Sequence, residues 1–125
     1  MSAQEVGTKL VALCKKLQFL QAVDELYGKD VVSIEPMAMQ GMPAETKGLE
    51  GVRGKGVWWT NTHEMHTCTV EGPFVHGDQF IVLFEMDVTD KNTKKRMKGK
   101  EAGLYTVAGG KVVREQFFYG APANP

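Results

Sequence analysis

Glu101-Ala102-Gly103-Leu104-Tyr105-Thr106-Val107-Ala108-Gly109-Gly110-Lys111-Val112-Val113-Arg114-Glu115-Gln116-Phe117-Phe118-Tyr119 is the stretch that decides the fold. Two runs rich in β-branched and aromatic residues meet at Gly109-Gly110. That dipeptide takes positive φ without steric cost, so the stretch predicts a β-hairpin. The segments before it behave alike. Phe80 to Val88 is almost wholly apolar until Glu85 and Asp87, and Met65 to Glu71 is rich in Thr and Val. Asp90-Lys91-Asn92-Thr93 marks a further turn, flanked by Lys94, Lys95 and Arg96. Four antiparallel strands are therefore expected over 65–71, 80–88, 98–107 and 111–119.

The first half of the chain has a different period. Val6, Leu10, Leu13, Leu17 and Leu20 lie on one helical face, and Phe19, Val23 and Leu26 continue helically to Gly28, a stop signal. We read two helices here, with a turn near Lys15 to Gln18, the alternative being one bent helix. Val31-Val32-Ser33-Ile34-Glu35 reads as a short strand closed by Pro36, which cannot donate to a ladder. Met37 to Lys47 reads as a loop. Its Met37, Met39 and Met42 form either a pliable lid over a mouth or an ordinary surface loop. Leu49, Val52, Gly56 and Trp59 share a face, which predicts a third helix. Helices followed by long antiparallel strands make an α+β fold. No repeat or linker interrupts it, so residues 1–125 are read as a single domain.

Composition narrows the function. Hydrophobic residues make up 42% and charged residues 24%, a globular balance. Lys+Arg 15 against Asp+Glu 15 leaves no net charge to favour nucleic acid or an anionic membrane. No apolar run approaches the roughly 20 residues that span a bilayer. Met1-Ser2-Ala3-Gln4-Glu5 does not read as a signal peptide, so the expected setting is cytoplasmic. Cys14 and Cys68 read as free, buried thiols. Nucleophile and nucleotide motifs are absent, which leaves acid–base chemistry without a cofactor.

Alternate residues of a strand point to opposite faces. Phe80, Val82, Phe84, Met86 and Val88 share one face, and Ile81 and Leu83 the other. In the last strand Val113, Glu115, Phe117 and Tyr119 oppose Val112, Arg114, Gln116 and Phe118. Ile81, Leu83, Val112 and Phe118 then give the outer face an apolar character, and a homodimer through that face is expected.

The order of elements carries a resemblance. Helices, a strand ending Ile34-Glu35-Pro36, a helix opening Gly48-Leu49-Glu50, and a four-strand meander ending in the hairpin quoted above resemble the SnoaL-like branch of the NTF2-like superfamily over nearly the whole chain. The resemblance implies an NTF2-like conical barrel: a curved mixed or antiparallel sheet, three N-terminal helices on its concave face, and one small-molecule pocket. It also implies dimerisation through the outer sheet face. That fold hosts isomerases, cyclases, dehydratases, hydrolases and plain binding modules. Ketosteroid isomerases, which share the layout, place an Asp general base immediately before a Pro, where this chain has Glu35. Their oxyanion hole pairs a helix Tyr with a protonated Asp of the penultimate strand. Here Val11, Ala12 or Cys14 occupies that helix turn, and the strand offers Glu101 nearby.

Glu35, His66, Glu101 and Glu115 are the candidate catalytic residues. Glu35 has apolar neighbours that favour a neutral carboxyl and suit it to proton abstraction; the plainer account is a Glu at a sheet edge. Glu101 and Glu115 share the parity of Tyr105 and Phe117, so two carboxyls enter an apolar space from adjacent strands. They either share a proton or a partner there, or form structural ion pairs with Lys100, Arg53 or Arg114. His66 is a pocket acid–base group or a satisfied core histidine, and no metal is expected. Trp59, Phe80, Phe84, Tyr105, Phe117 and Tyr119 are expected to wall one enclosed cavity holding an unknown small molecule, with Glu35 and His66 reaching its lining. Gly51, Gly54 and Gly56 are expected to leave room for it. A carrier of small molecules and a protein-interaction domain are the competing readings.

Overall fold

Ser2 starts the fold in the computed structural model, which describes residues 1–38 and 41–120. Its hydroxyl accepts from the Glu5 amide, while the Glu5 carboxylate accepts from the Ser2 amide. This reciprocal cap satisfies two orphan donors at the head of α1 (Ala3–Lys15). At its far end the Gln18 amide returns to the Leu13 carbonyl. Leu17 there takes φ 61°, a left-handed position usually given to glycine. The chain turns into α2 (Phe19–Leu26), so the two expected helices are separate. Gly28 is not the stop. The helix closes at Tyr27, which already opens strand β1 (Tyr27–Ile34).

The segment read as a loop carries a strand of its own. Glu45–Lys47 (β2) pairs antiparallel with β1, Val32 against Lys47 and Ile34 against Glu45. Of the three lid methionines, Met39 lies outside the described residues. Then follow α3 (Leu49–Thr62), β3 (His63–His76), β4 (Gln79–Asp90), β5 (Arg96–Ala108) and β6 (Lys111–Phe118). The strands form one curved mixed sheet in the order β2-β1-β6-β5-β4-β3. Among the described residues only β1 and β6 run parallel. With α1 over β3 and β4 and α3 over β1, the architecture is the expected α+β one of three helices against a sheet. Gly109 and Gly110, at φ 59° and 77°, make the predicted tight turn between β5 and β6.

One bulge changes a sequence reading. Thr106 faces Arg114 but Val107 faces Val112, so Val113 is an extra residue and side-chain parity reverses across it. Val112 therefore points inward and is fully buried, which corrects its expected place on the outer face. Ile81, Leu83 and Phe118 do lie outside, 39%, 39% and 50% exposed. The core joins Val6, Leu10 and Leu26 of the helices to Val31, Phe80 and Val82 of the sheet.

The glycines of α3 also act differently from expectation. A Cβ on Gly51 would come 3.1 Å from Cγ2 of Thr46, and one on Gly56 would come 3.0 Å from Cδ2 of Leu20. At these two positions the missing side chain lets α3 close on β2 and α2, so the room is consumed by packing.

Candidate functional site

Register builds the site. Ser33 and Glu115 are partners across the parallel β1–β6 pair, and Tyr105 faces Glu115 across β5–β6. Three neighbouring strands thus set Ser33, Glu115 and Tyr105 side by side on the covered face. Glu115 is 4% exposed, and such a group needs partners. It has them: Tyr27 Oη donates to its Oε1, and Ser33 Oγ donates to its Oε2 at 2.6 Å. Lys55, three residues beyond buried Val52 on α3, donates to Ser33 Oγ and, at 3.3 Å, to Glu35 Oε1. Tyr119 Oη reaches the other oxygen of Glu35 at 3.1 Å. The ammonium also sits 5.8 Å from the centre of the Phe117 ring. The Lys55 and Glu35 side chains are only 13% and 16% exposed, so solvent screens this pair weakly.

The charges in this cluster are strongly coupled. Burial pushes the Glu101 carboxyl up to about 8; the charges of Glu35 and Glu115 add to the rise and Lys55 opposes it. Glu101 therefore keeps its proton at neutral pH and is a donor. Burial also raises Glu115, while the Ser33 and Tyr27 hydroxyls and Lys55 pull it back. The phenols of Tyr27 and Tyr105 are pushed well up by burial and by the Glu115 charge, so both stay protonated. Tyr119 is raised by burial and by Glu35. Cys68, on the β3 wall, is pushed up to about 11 by burial and the Glu101 charge, and Cys14 to about 12 mainly by burial. Neither thiol is a nucleophile near neutrality.

The structure brings Glu35, Glu101, Glu115, Tyr105, Phe117 and Tyr119 together. Phe80 stacks on Tyr105 at 4.9 Å and Tyr105 meets Phe117 edge-on at 6.2 Å, so these rings pack on one another. Phe84 is buried on the same face. Two residues lie elsewhere. Trp59 stacks on His63 at 4.6 Å and borders an open groove of about 330 Å³ with Leu17, Phe19 and Met65. His66 sits where β3 slips register, and its Nε2 pairs with Thr89 Oγ1 at 2.7 Å. Thr89 has the parity of exposed Ile81 and Leu83, so His66 and Glu35 do not meet. Among the described residues no group of three His, Cys, Asp or Glu is placed to hold a metal ion.

Sequence reading missed Tyr27, Ser33 and Lys55. The signals were present. Ser33 has the parity of buried Val31 and of Glu35, and Lys55 shares the helical face of Val52 and Trp59.

The family described as "SnoaL-like domain" matches residues 1–119. A Mesorhizobium loti structure, provisionally named a SnoaL-like polyketide cyclase and also labelled a carbohydrate phosphatase, is 40% identical with a TM-score of 0.88, covering 95% of this chain and 100% of that one. A Bacillus subtilis protein named as an isomerase is similar in fold at 15% identity and TM-score 0.78, covering 96% and 90%. A Catenulispora acidiphila protein with a ketosteroid isomerase-like fold, in complex with trimethylamine, is similar in fold at 17% identity and TM-score 0.70, covering 90% and 83%. No curated protein matches significantly.

Proposed function

The chain belongs to the SnoaL-like domain family, and from that premise we propose that it binds a small carbonyl compound beside Glu35 and moves a proton on it without a cofactor. The observation that carries this reading is convergence: β1, α3, β5 and β6 deliver Glu35, Lys55, Glu101 and Tyr119 to one partly buried space. Glu35 is the proton acceptor for a carbon next to the carbonyl. Lys55 has three N–H donors and, among the described residues, gives two to Ser33 and Glu35. The third, with the protonated Glu101 carboxyl, faces the oxygen on which negative charge develops. Tyr119 holds Glu35 in orientation.

The name of the Mesorhizobium loti relative makes polycarbonyl chains the first compounds to try. Hydrogen–deuterium exchange at carbons next to carbonyls, followed by NMR in D2O over a panel of small ketones and β-keto esters, tests the reading. Wild-type protein is expected to speed exchange of at least one member, and Glu35→Gln to lose about a hundredfold of that rate. A panel in which nothing exchanges faster than in buffer overturns it.

We propose in addition that the protein is a homodimer through its outer sheet face. Ile81, Leu83 and Phe118 leave apolar surface there, and each such side chain contributes about 1.5–3 kcal/mol when fully covered.

A further inference from the structure

Donor counting fixes the direction of the hydrogen bonds inside the cluster. Lys55 carries only donors, so its contact with Ser33 Oγ makes that oxygen an acceptor. Ser33 has one hydroxyl proton, and the only other partner of its oxygen among the described residues is Glu115 Oε2, at 2.6 Å. The proton therefore points to Glu115. A hydroxyl free to rotate would turn its proton toward Lys55 in part of its conformations and repel the ammonium. Glu115 prevents that turn, and Tyr27, donating to its other oxygen, holds the carboxyl in place.

We infer that Glu115 is a positioning residue: through the Ser33 hydroxyl it anchors the Lys55 ammonium against Glu35, and it touches no ligand itself. Burial supports this assignment, since Glu115 and Ser33 are 4% and 0% exposed, whereas the Glu35 and Lys55 side chains keep 16% and 13% of their surface in water. The relay also gives Lys55 a second hold. When Glu35 takes a proton and loses its charge, Ser33 and Glu115 still keep the ammonium in place, ready to face a developing oxyanion. The inference rests on the reading of Glu35 as proton acceptor only for its catalytic meaning; the anchor itself is a property of the protein without ligand.

It is tested on ligand-free protein labelled with 15N-lysine, by the exchange rate of the Lys55 ammonium protons with water, the signal being assigned by its loss in Lys55→Met. An anchored ammonium exchanges slowly. Glu115→Gln keeps the shape but offers the Ser33 hydroxyl a neutral amide in place of a carboxylate, which weakens the hold on its proton, and Ser33→Ala removes the link; each is expected to speed exchange about fivefold or more, the factor one net hydrogen bond is worth. Ser33→Thr keeps the hydroxyl and is expected to restore slow exchange. A folded Glu115→Gln with unchanged Lys55 exchange overturns the inference. If Glu115→Gln does not fold, the Ser33 pair decides alone, and equal exchange in Ser33→Ala and Ser33→Thr overturns it. Failure of the deuterium-exchange panel with slow Lys55 exchange intact would sink the proposed reaction and leave the anchor standing.

Discussion

The two faces of the same strands break the usual rule in opposite directions. On the covered face β5 and β6 hold Glu101, Tyr105 and Glu115 away from water, while on the outer face β4 and β6 hold Ile81, Leu83 and Phe118 in it. Neighbours along one strand are enough for the contrast: Phe117 packs against Tyr105 and Phe118 is half exposed. Buried polar groups and exposed large apolar groups are the informative exceptions in a small domain. Inside, the cost of burying carboxyls is offset by hydroxyl donors and one ammonium. Outside, a groove of about 390 Å³ runs beside Leu83, Ala102 and Phe118, with Glu85 and Lys100 at its edge. The inner face pairs its buried polar groups within the chain, while the outer face leaves its large apolar groups in water.

The largest expected effect removes the inner arrangement. Glu115→Ala leaves the buried Tyr27 and Ser33 hydroxyls without their acceptor, at about 1–3 kcal/mol for each, and it should cost about 2–6 kcal/mol in urea denaturation. A loss below about 1 kcal/mol, the worth of a single ordinary hydrogen bond, would show that the inner face tolerates an apolar hole as the outer face tolerates water.

Acidity sharpens the contrast next. Glu101 has an ordinary value of 4.5 when unfolded and about 8 when folded, so between those values the native state holds a proton that the unfolded chain has released. Its contribution to stability is fully present below pH 4.5 and is lost as pH rises through 8. The slope should approach about 1.4 kcal/mol per pH unit at its steepest. Glu101→Gln should flatten it, and an equally steep profile in that variant would assign the slope to another group.

The outer face should respond least in stability and most in assembly. Phe118→Lys is expected to weaken self-association by at least about tenfold, which corresponds to the lower end of the burial gain for one large side chain. The fold itself should change by no more than about 0.5 kcal/mol. Sedimentation velocity over a dilution series reads the first quantity and urea midpoints the second. Unaltered association would move the partner surface elsewhere.

The sequence made the hairpin around Gly109-Gly110, the helical faces of α1 and the order of elements legible, because each is written in a local period or a turn dipeptide. Strand β2 was hidden, since Glu45–Lys47 offers one β-branched residue and owes its structure to backbone pairing with β1. Val112 was misplaced because a bulge at Val113 leaves no mark in an alternating pattern. His66 illustrates the same difficulty at the register slip of β3. Within the site, the carboxyls of Glu101 and Glu115 followed from parity. Lys55 did not, because a lysine on a Gly-rich helix reads as solvated until its ammonium is seen to donate to Ser33 and Glu35. Tyr27 sat at a junction where helix and strand periods both stop applying.

The parallel β1–β6 pairing carries a consequence in time. Tyr27 and Glu115 are 88 residues apart in the chain, Ser33 and Glu115 82, and Glu35 and Tyr119 84. The helices and the β3–β4–β5–β6 meander can each form from nearby residues, but closing a loop of that length is entropically costly and slow. The last strand must therefore dock beside the first before any of these pairs exists, and the site is expected to be the final part of the molecule to assemble. Substitutions at Ser33 or Glu115 should accordingly speed unfolding while leaving the refolding rate nearly unchanged.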